Sequence, residues 1–181
     1  MYLTPQPELE TKRLLLRALK PEDAGDLFEM RRDASTHQFT DTLPEHRVEE
    51  TENYIAKMDA GIAQKKWYVW GLMLRETGKI IGTFSLWQFD AESLTAEIGC
   101  TLHPIYRGHG YMQEAIGVVM RFAHQQLHLT SVEAYTEQQN LSARQMLKKS
   151  GFSEVDHLDE LGTQRNKIFH MLIYKKTLSG V

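Results

Sequence analysis

A single cysteine, Cys100, stands in a chain of 181 residues, so no internal disulfide can close and the fold must be held by its core. A lone thiol suits a reducing compartment. There is no surplus of positive charge either. The 21 lysines and arginines face 24 aspartates and glutamates, for a net charge of −3. That balance gives no general attraction to nucleic acid, and any anionic ligand must be held by local positive charge. No stretch approaches the ~18 apolar residues of a membrane span, and the opening residues lack an apolar signal core. A cytoplasmic protein with no membrane or nucleic-acid partner is the expectation. Repeats of 20–50 residues and low-complexity tracts are also missing. What is present is an ordinary globular composition, 41% apolar and 25% charged, long enough for one domain with a sizeable core.

Periodicity divides the chain into alternating signals. Residues 1–9 form a lead-in, 10–176 the domain, and 177–181 a tail. Arg13–Ala18 reads as a buried strand. Pro21 opens a helix to about Arg32, residues 33–46 form a polar loop, and 47–63 a second helix. Strands follow at about 66–74, 80–89 and 94–102, with a hairpin turn at Glu76–Lys79. A long amphipathic helix begins near Tyr111. Residues 131–136 form a strand, 141–149 a helix ended by Gly151, and 152–158 a strand; 159–166 are a polar turn and 168–175 the last strand. The order β-α-α-β-β-β-α-β-α-β-β implies a mixed α/β (α+β) sheet covered by helices, not a doubly wound nucleotide fold.

The most informative stretch runs from Ala96 to Ala115: a strand bearing Glu97, the loop Arg107-Gly108-His109-Gly110, then a helix. Backbone amides at a helix start, beside glycines that admit close approach, suit a pyrophosphate. A dinucleotide fingerprint would need a third glycine where Gln113 stands, and the Gly-Lys-Ser/Thr of a Walker loop does not occur.

Arg107-Gly108-His109-Gly110-Tyr111-Met112 resembles the Arg/Gln-x-x-Gly-x-Gly/Ala acetyl-CoA loop of the GNAT superfamily of N-acetyltransferases, with Met112 in place of its last small residue. Glu10–Arg17 resembles the first strand of the RimJ/RimL-like group of ribosomal-protein N-terminal acetyltransferases. Ala96–Cys100 resembles its fourth strand. Asn140, followed eleven residues later by Gly151-Phe152, is similar to its last helix and exit. The resemblance covers about residues 10–176. It implies a mostly antiparallel seven-stranded GNAT sheet, splayed between the fourth and fifth strands, with acetyl-CoA threaded through the opening. Residues 107–112 would hold the pyrophosphate, the backbone of Cys100, Thr101 and Leu102 would pair with the pantetheine arm, and Asn140 would contact that arm. Arg107, His109 and Arg144 would supply local positive charge.

Acetyl transfer to an amine needs a neutral nitrogen, stabilisation of developing negative charge and a proton for the departing thiolate. A protein N-terminus, with a pKa of about 7.7–8.0, is easier to deprotonate than a lysine by about 3.5 kcal/mol, so a weak base suffices. Glu97 stands at a position resembling the superfamily's catalytic glutamate; the alternative is a plain strand carboxylate or an arginine partner. Glu160, placed in the turn before the last strand, is the competing base, since ribosomal-protein enzymes often carry a glutamate there. For the acid, the superfamily's usual tyrosine is Leu147 here. The RimL-type serine falls at Ala143, with Ser142 one position away, about 100° around the helix. Capping of the helix start by Asn140 or Ser142 is the structural alternative, and water could protonate the thiolate.

Cys100 reads as a small buried hydrophobe and not a nucleophile. His124 and His128 lack a third ligand, so no metal is expected. Trp67, Trp70 and Trp87 read as sheet packing. The expected activity is acetyl-CoA-dependent N-acetylation of a primary amine by a monomer or homodimer. The first acceptor is a protein N-terminal α-amino group, plausibly of a ribosomal protein. A small amine (polyamine, aminoglycoside or amino acid) is the first rival, with the acidic residues between 33 and 60 as its attraction. A non-catalytic acetyl-CoA-binding module is the second.

Overall fold

The computed structural model describes residues 4–179. Its strands are β1 (Leu9–Glu10), β2 (Leu14–Arg17), β3 (Tyr68–Leu74), β4 (Ile80–Asp90), β5 (Thr95–Leu102), β6 (Ser131–Glu137), β7 (Ser153–Leu161) and β8 (Ile168–Thr177). The helices are α1 (Ala24–Arg31), α2 (Val48–Ala63), α3 (Tyr111–Gln125) and α4 (Leu141–Lys149). The strands form one sheet in the order β1-β2-β3-β4-β5-β6-β8-β7, with all neighbours antiparallel except the β5–β6 pair.

The expected element order holds, with one strand more than seven. The extra strand is β1: Thr11 accepts a turn bond from the Leu14 amide and donates its own amide to the Leu14 carbonyl, folding Leu9 opposite Leu16. The lead-in is fastened to the body. The Gln6 carboxamide bonds both backbone groups of Val69, and the Trp70 indole donates to the Pro7 carbonyl. At the other end Thr177 completes β8 and Leu178 is 1% exposed, so the tail begins later than sequence periodicity suggests. A further difference bears on function. β7 extends to Leu161, so Glu160 lies in a strand, paired with Phe169, rather than in a turn.

Both faces of the N-terminal half of the sheet are covered, as the near-continuous apolar run of β3 requires. Tyr68, Trp70 and Leu72 face α3, whose Ala115, Val119 and Ala123 are fully buried. Val69 faces the other way, with Leu27, Met30 and Ile55 of α1 and α2. Trp70 stacks on Tyr68 at 5.5 Å and Trp67 donates to the Met58 carbonyl, so both are packing residues; Trp87 is 37% exposed.

The β5–β6 pair positions the site. It runs in register only from Thr95↔Ser131 to Ile98↔Ala134, while β5 continues to Leu102 and β6 to Glu137. Beyond Ile98 the two strands part. The β5 backbone there is paired with β4 on one side and, among the described residues, with no strand on the other.

Candidate active site

The glycine loop sits at the mouth of this opening. Gly108 and Gly110 both have φ of +79°, a left-handed conformation that L side chains resist, and Gly110 caps α3. The first amides of α3 have no partner inside the helix and carry the positive end of its dipole. The loop is braced from β2's side of the sheet. The Arg13 guanidinium donates to the His109 carbonyl at 2.9 Å and to Glu114 at 2.6 Å, and lies 4.2 Å over the Tyr111 ring. Thr11 holds the other Glu114 oxygen at 2.7 Å. Nothing in the glycine loop's own sequence announces this brace.

A cavity of about 390 Å³ runs from the loop into the splay. Of the residues expected to seat the cofactor, Cys100, Thr101, Leu102, Arg107, Gly108, Gly110, Tyr111, Met112 and Asn140 all border it, and so does Ser142. His109 does not border it; its Nδ1 faces the carbonyls of Tyr106 and Arg107 at 3.3 and 2.9 Å. Arg144 turns to the Gln138 carbonyl and the Tyr174 hydroxyl, and Lys149 borders the cavity instead. Met112 is only 8% exposed and packs into the core, so it leaves the loop open. Two glycines in the left-handed region, free helix amides, Arg107, Lys149 and an unpaired strand edge fit an anionic head with an amide-bearing arm.

A second cavity of about 250 Å³ lies across the splay and shares Phe39, Thr40, Cys100, Asn140, Ala143 and Met146 with the first. Its far wall is Tyr135, Glu160, Phe169 and Met171, with Asp41 at the edge. The Asp41 carboxylate accepts the amides of Thr163, Gln164 and Arg165 at 2.6–3.1 Å, together with the Thr163 hydroxyl. These bonds hold it below the usual carboxylate range against a desolvation penalty. Arg165 returns bonds to the carbonyls of His37 and Thr40. A Cβ on Gly162 would fall 2.6 Å from Asp41 and 2.7 Å from the Phe169 ring, so this clasp requires glycine. The polar loop 33–46 thereby becomes part of the site wall, which its composition did not suggest.

Glu97 lies on the β5 face shared with Gly99, opposite Trp87 on one side and Glu133 on the other. It borders neither cavity, whereas Glu160 borders the second. Burial, then the negative charges of Glu133 and Glu160, push its carboxyl up to about 7. The same face carries Lys175, 3.1 Å from Glu133, and Tyr135, whose hydroxyl donates to Glu133 at 3.3 Å. Burial and Glu133 raise the Tyr135 phenol. Desolvation by burial pushes the Cys100 thiol up to about 12, so it stays protonated although it borders both cavities. Asn140 caps α4 by accepting the Ala143 amide at 3.2 Å and still borders both cavities. Ser142 borders the first alone, and buried Leu147 lines the second.

Among the described residues no helix is long and apolar enough to cross a membrane, and no group of three or more potential ligands could hold a metal ion.

A family model described as the acetyltransferase (GNAT) domain matches residues 13–153. The N-acetyltransferase YoaA of Bacillus subtilis, itself uncharacterized, is 25% identical over 168 residues, 93% of this chain and 95% of that protein. Among solved structures, the ribosomal-protein-S5-alanine acetyltransferase of Vibrio fischeri superposes with a TM-score of 0.80 at 16% identity, covering 97% of this chain and 98% of that one. The Microcin C7 self-immunity acetyltransferase MccE, in complex with acetyl-CoA and AMP, gives 0.82 at 16% identity, with coverage of 92% and 93%. A chimera of the Vibrio cholerae spermidine N-acetyltransferase SpeG gives 0.77 at 18%, with coverage of 93% and 97%. At these identities the structures establish the fold.

Proposed function

The chain belongs to the GNAT acetyltransferase family, and from that premise we propose that it transfers an acetyl group from acetyl-CoA to a protein N-terminal α-amino group, plausibly of a ribosomal protein. The observation that carries this reading is the pair of adjoining cavities meeting at the parted strands, one walled by amides and cations, the other by two carboxylates and apolar side chains. Residues 107–112 and Lys149 would hold the anionic head. The edge of β5 at Cys100–Leu102, where the Leu102 carbonyl accepts Arg107 Nε at 3.2 Å, would pair with the arm, and Asn140 would touch it where the cavities join. Acetyl-CoA supplies an activated thioester carbonyl to be attacked. Glu160, in the second cavity, holds the incoming ammonium. Glu97, poised near neutrality on the same sheet face but outside both cavities, takes its proton through water; a base with a pKa near the working pH balances availability against strength. An amine titrating near 8 needs no more than this.

The test is thiol release from acetyl-CoA with a panel of peptides and small amines, for the parent, Glu160→Gln and Glu97→Gln. Loss of the cavity carboxylate is expected to lower kcat/KM about 10²–10³-fold through acceptor binding and proton transfer together. In the parent, the rate should fall below pH 7 as Glu97 gains a proton. Glu97→Gln should abolish that acidic limb and lower kcat about tenfold or more. An unchanged pH profile in Glu97→Gln would assign both tasks to Glu160.

A further inference from the structure

The second cavity offers few unfilled carboxylate oxygens to an incoming amine, and the reason lies in how the nearby acids are used. Asp41 stands at its edge, but both carboxylate oxygens are filled by the amides of residues 163–165 and the Thr163 hydroxyl. The other acids of that segment are similarly committed. Asp33 accepts the Ser35 amide, Glu45 pairs with Arg31 at 2.6 Å and binds Thr51, and Glu50 caps the amides of His46 and Arg47. Glu49 and Glu52 are exposed on α2. Elsewhere on the sheet Glu133 is held by Lys175 and, on the opposite face, Asp159 by His170 at 2.7 Å. That leaves Glu160 as the cavity-wall carboxylate with no hydrogen bond or ion pair among the described residues. Glu97 lies outside the wall and shares its charge with a proton near neutrality, so it is a proton acceptor more than a fixed counter-ion.

We infer that the acceptor is an amine with one positive charge and an apolar substituent, as in a polypeptide beginning with an aliphatic residue, and is neither a polyamine nor an aminoglycoside. This rests on the acetyltransferase reading above and narrows its acceptor. Phe39, Tyr135, Phe169 and Met171 stand with one carboxylate whose oxygens are unfilled, Glu160, so a single ammonium finds a partner and its substituent finds apolar surface. A second ammonium taken out of water beside these side chains finds no carboxylate oxygen left to accept its hydrogen bonds, because those of Asp41 are filled, and burying it unpaired is disfavoured. The acidic segment between 33 and 60 has the composition a polyamine site would need, but the oxygens of Asp33, Asp41, Glu45 and Glu50 are engaged in local bonds, and Glu49 and Glu52 border neither cavity.

The experiment measures thiol release at saturating acetyl-CoA for leucinamide, peptides differing only in an N-terminal Leu, Ser or Asp, spermidine and an aminoglycoside. Leucinamide and the Leu-initiated peptide are expected to exceed spermidine and the aminoglycoside at least tenfold in kcat/KM. Equal or better turnover of the polycations overturns the inference while leaving the acetyltransferase standing. No thiol release with any amine, in a protein that still binds acetyl-CoA, removes both. Phe39→Glu, on the surface loop, adds a carboxylate to the wall. It should raise the spermidine-to-leucinamide ratio at least tenfold, in protein shown to be folded by circular dichroism; an unchanged ratio would deny this wall its part in selection.

Discussion

In the proposed site the anion seat would come from the consecutive residues 107–112, whereas the proposed acceptor wall gathers Phe39, Tyr135, Glu160 and Phe169 from four separate segments. The first is largely backbone: amides at a helix start, positive-φ glycines and an unpaired strand edge. The second is side chains, held in place by a clasp between the 33–46 loop and the β7–β8 turn. Backbone recognition tolerates change at most positions and leaves a glycine signature. Side-chain recognition changes with each wall residue and leaves no contiguous signature. One half of the site is therefore suited to a constant donor and the other to a selected acceptor.

The sharpest way to separate the halves is to strain the loop. Gly110→Val forces a β-branched residue to a φ of +79°. It should raise the acetyl-CoA Kd about 100-fold by calorimetry, equivalent to about 2.7 kcal/mol, without altering the ranking of acceptors. His109→Ala, one residue away in the same loop but bordering neither cavity, should stay within about twofold. If both variants behaved alike, the loop's backbone geometry would not be what binds.

A smaller effect is expected from the clasp. Asp41→Asn keeps the side chain's size but removes the charge and one acceptor from a set of three backbone amides. Losing about 1 kcal/mol there should speed hydrogen exchange of the 163–165 amides several-fold. The acceptor KM should rise about 3–10-fold while the acetyl-CoA Kd moves less than about twofold. Asp41→Glu, which retains the charge, should recover part of the exchange protection.

The smallest expected effect is on stability. The Glu97 carboxyl, raised to about 7, binds its proton more tightly in the folded chain than in the unfolded one. Its contribution is fully present below about pH 4 and is lost as pH rises through 7. Glu97→Gln cannot ionise, so it should exceed the parent by about 1–3 kcal/mol at pH 8.5 and by much less at pH 5, read from urea midpoints. A gain that did not depend on pH would place the cause in packing instead of charge.

The elements and their order were legible because long helices and alternating strands declare themselves by period. The α3 face of Ala115, Val119 and Ala123 is an example. The loop was legible because its glycines and the flanking strand and helix are adjacent in the chain. What was hidden depends on residues far apart in sequence. Arg13 reads as the start of a strand, yet it braces the glycine loop through His109 and Glu114. Arg144 and His109 read as charges for the cofactor, yet carbonyls and a tyrosine claim them, and Lys149 borders the cavity. Glu160 was expected in a turn; its pairing with Phe169 places it in β7, on the acceptor wall.

By itself the sequence carried the motifs that resemble the family and an expectation of where an anionic donor would sit, because the glycine loop and its flanking strand and helix are adjacent in the chain. Only the tertiary structure decided which charges remain available at the acceptor wall. Asp41 and Glu160 are equally acidic as letters. One is consumed by three amides from a turn more than a hundred positions away, and the other is left to meet an amine, because register and loop closure settle who pairs with whom.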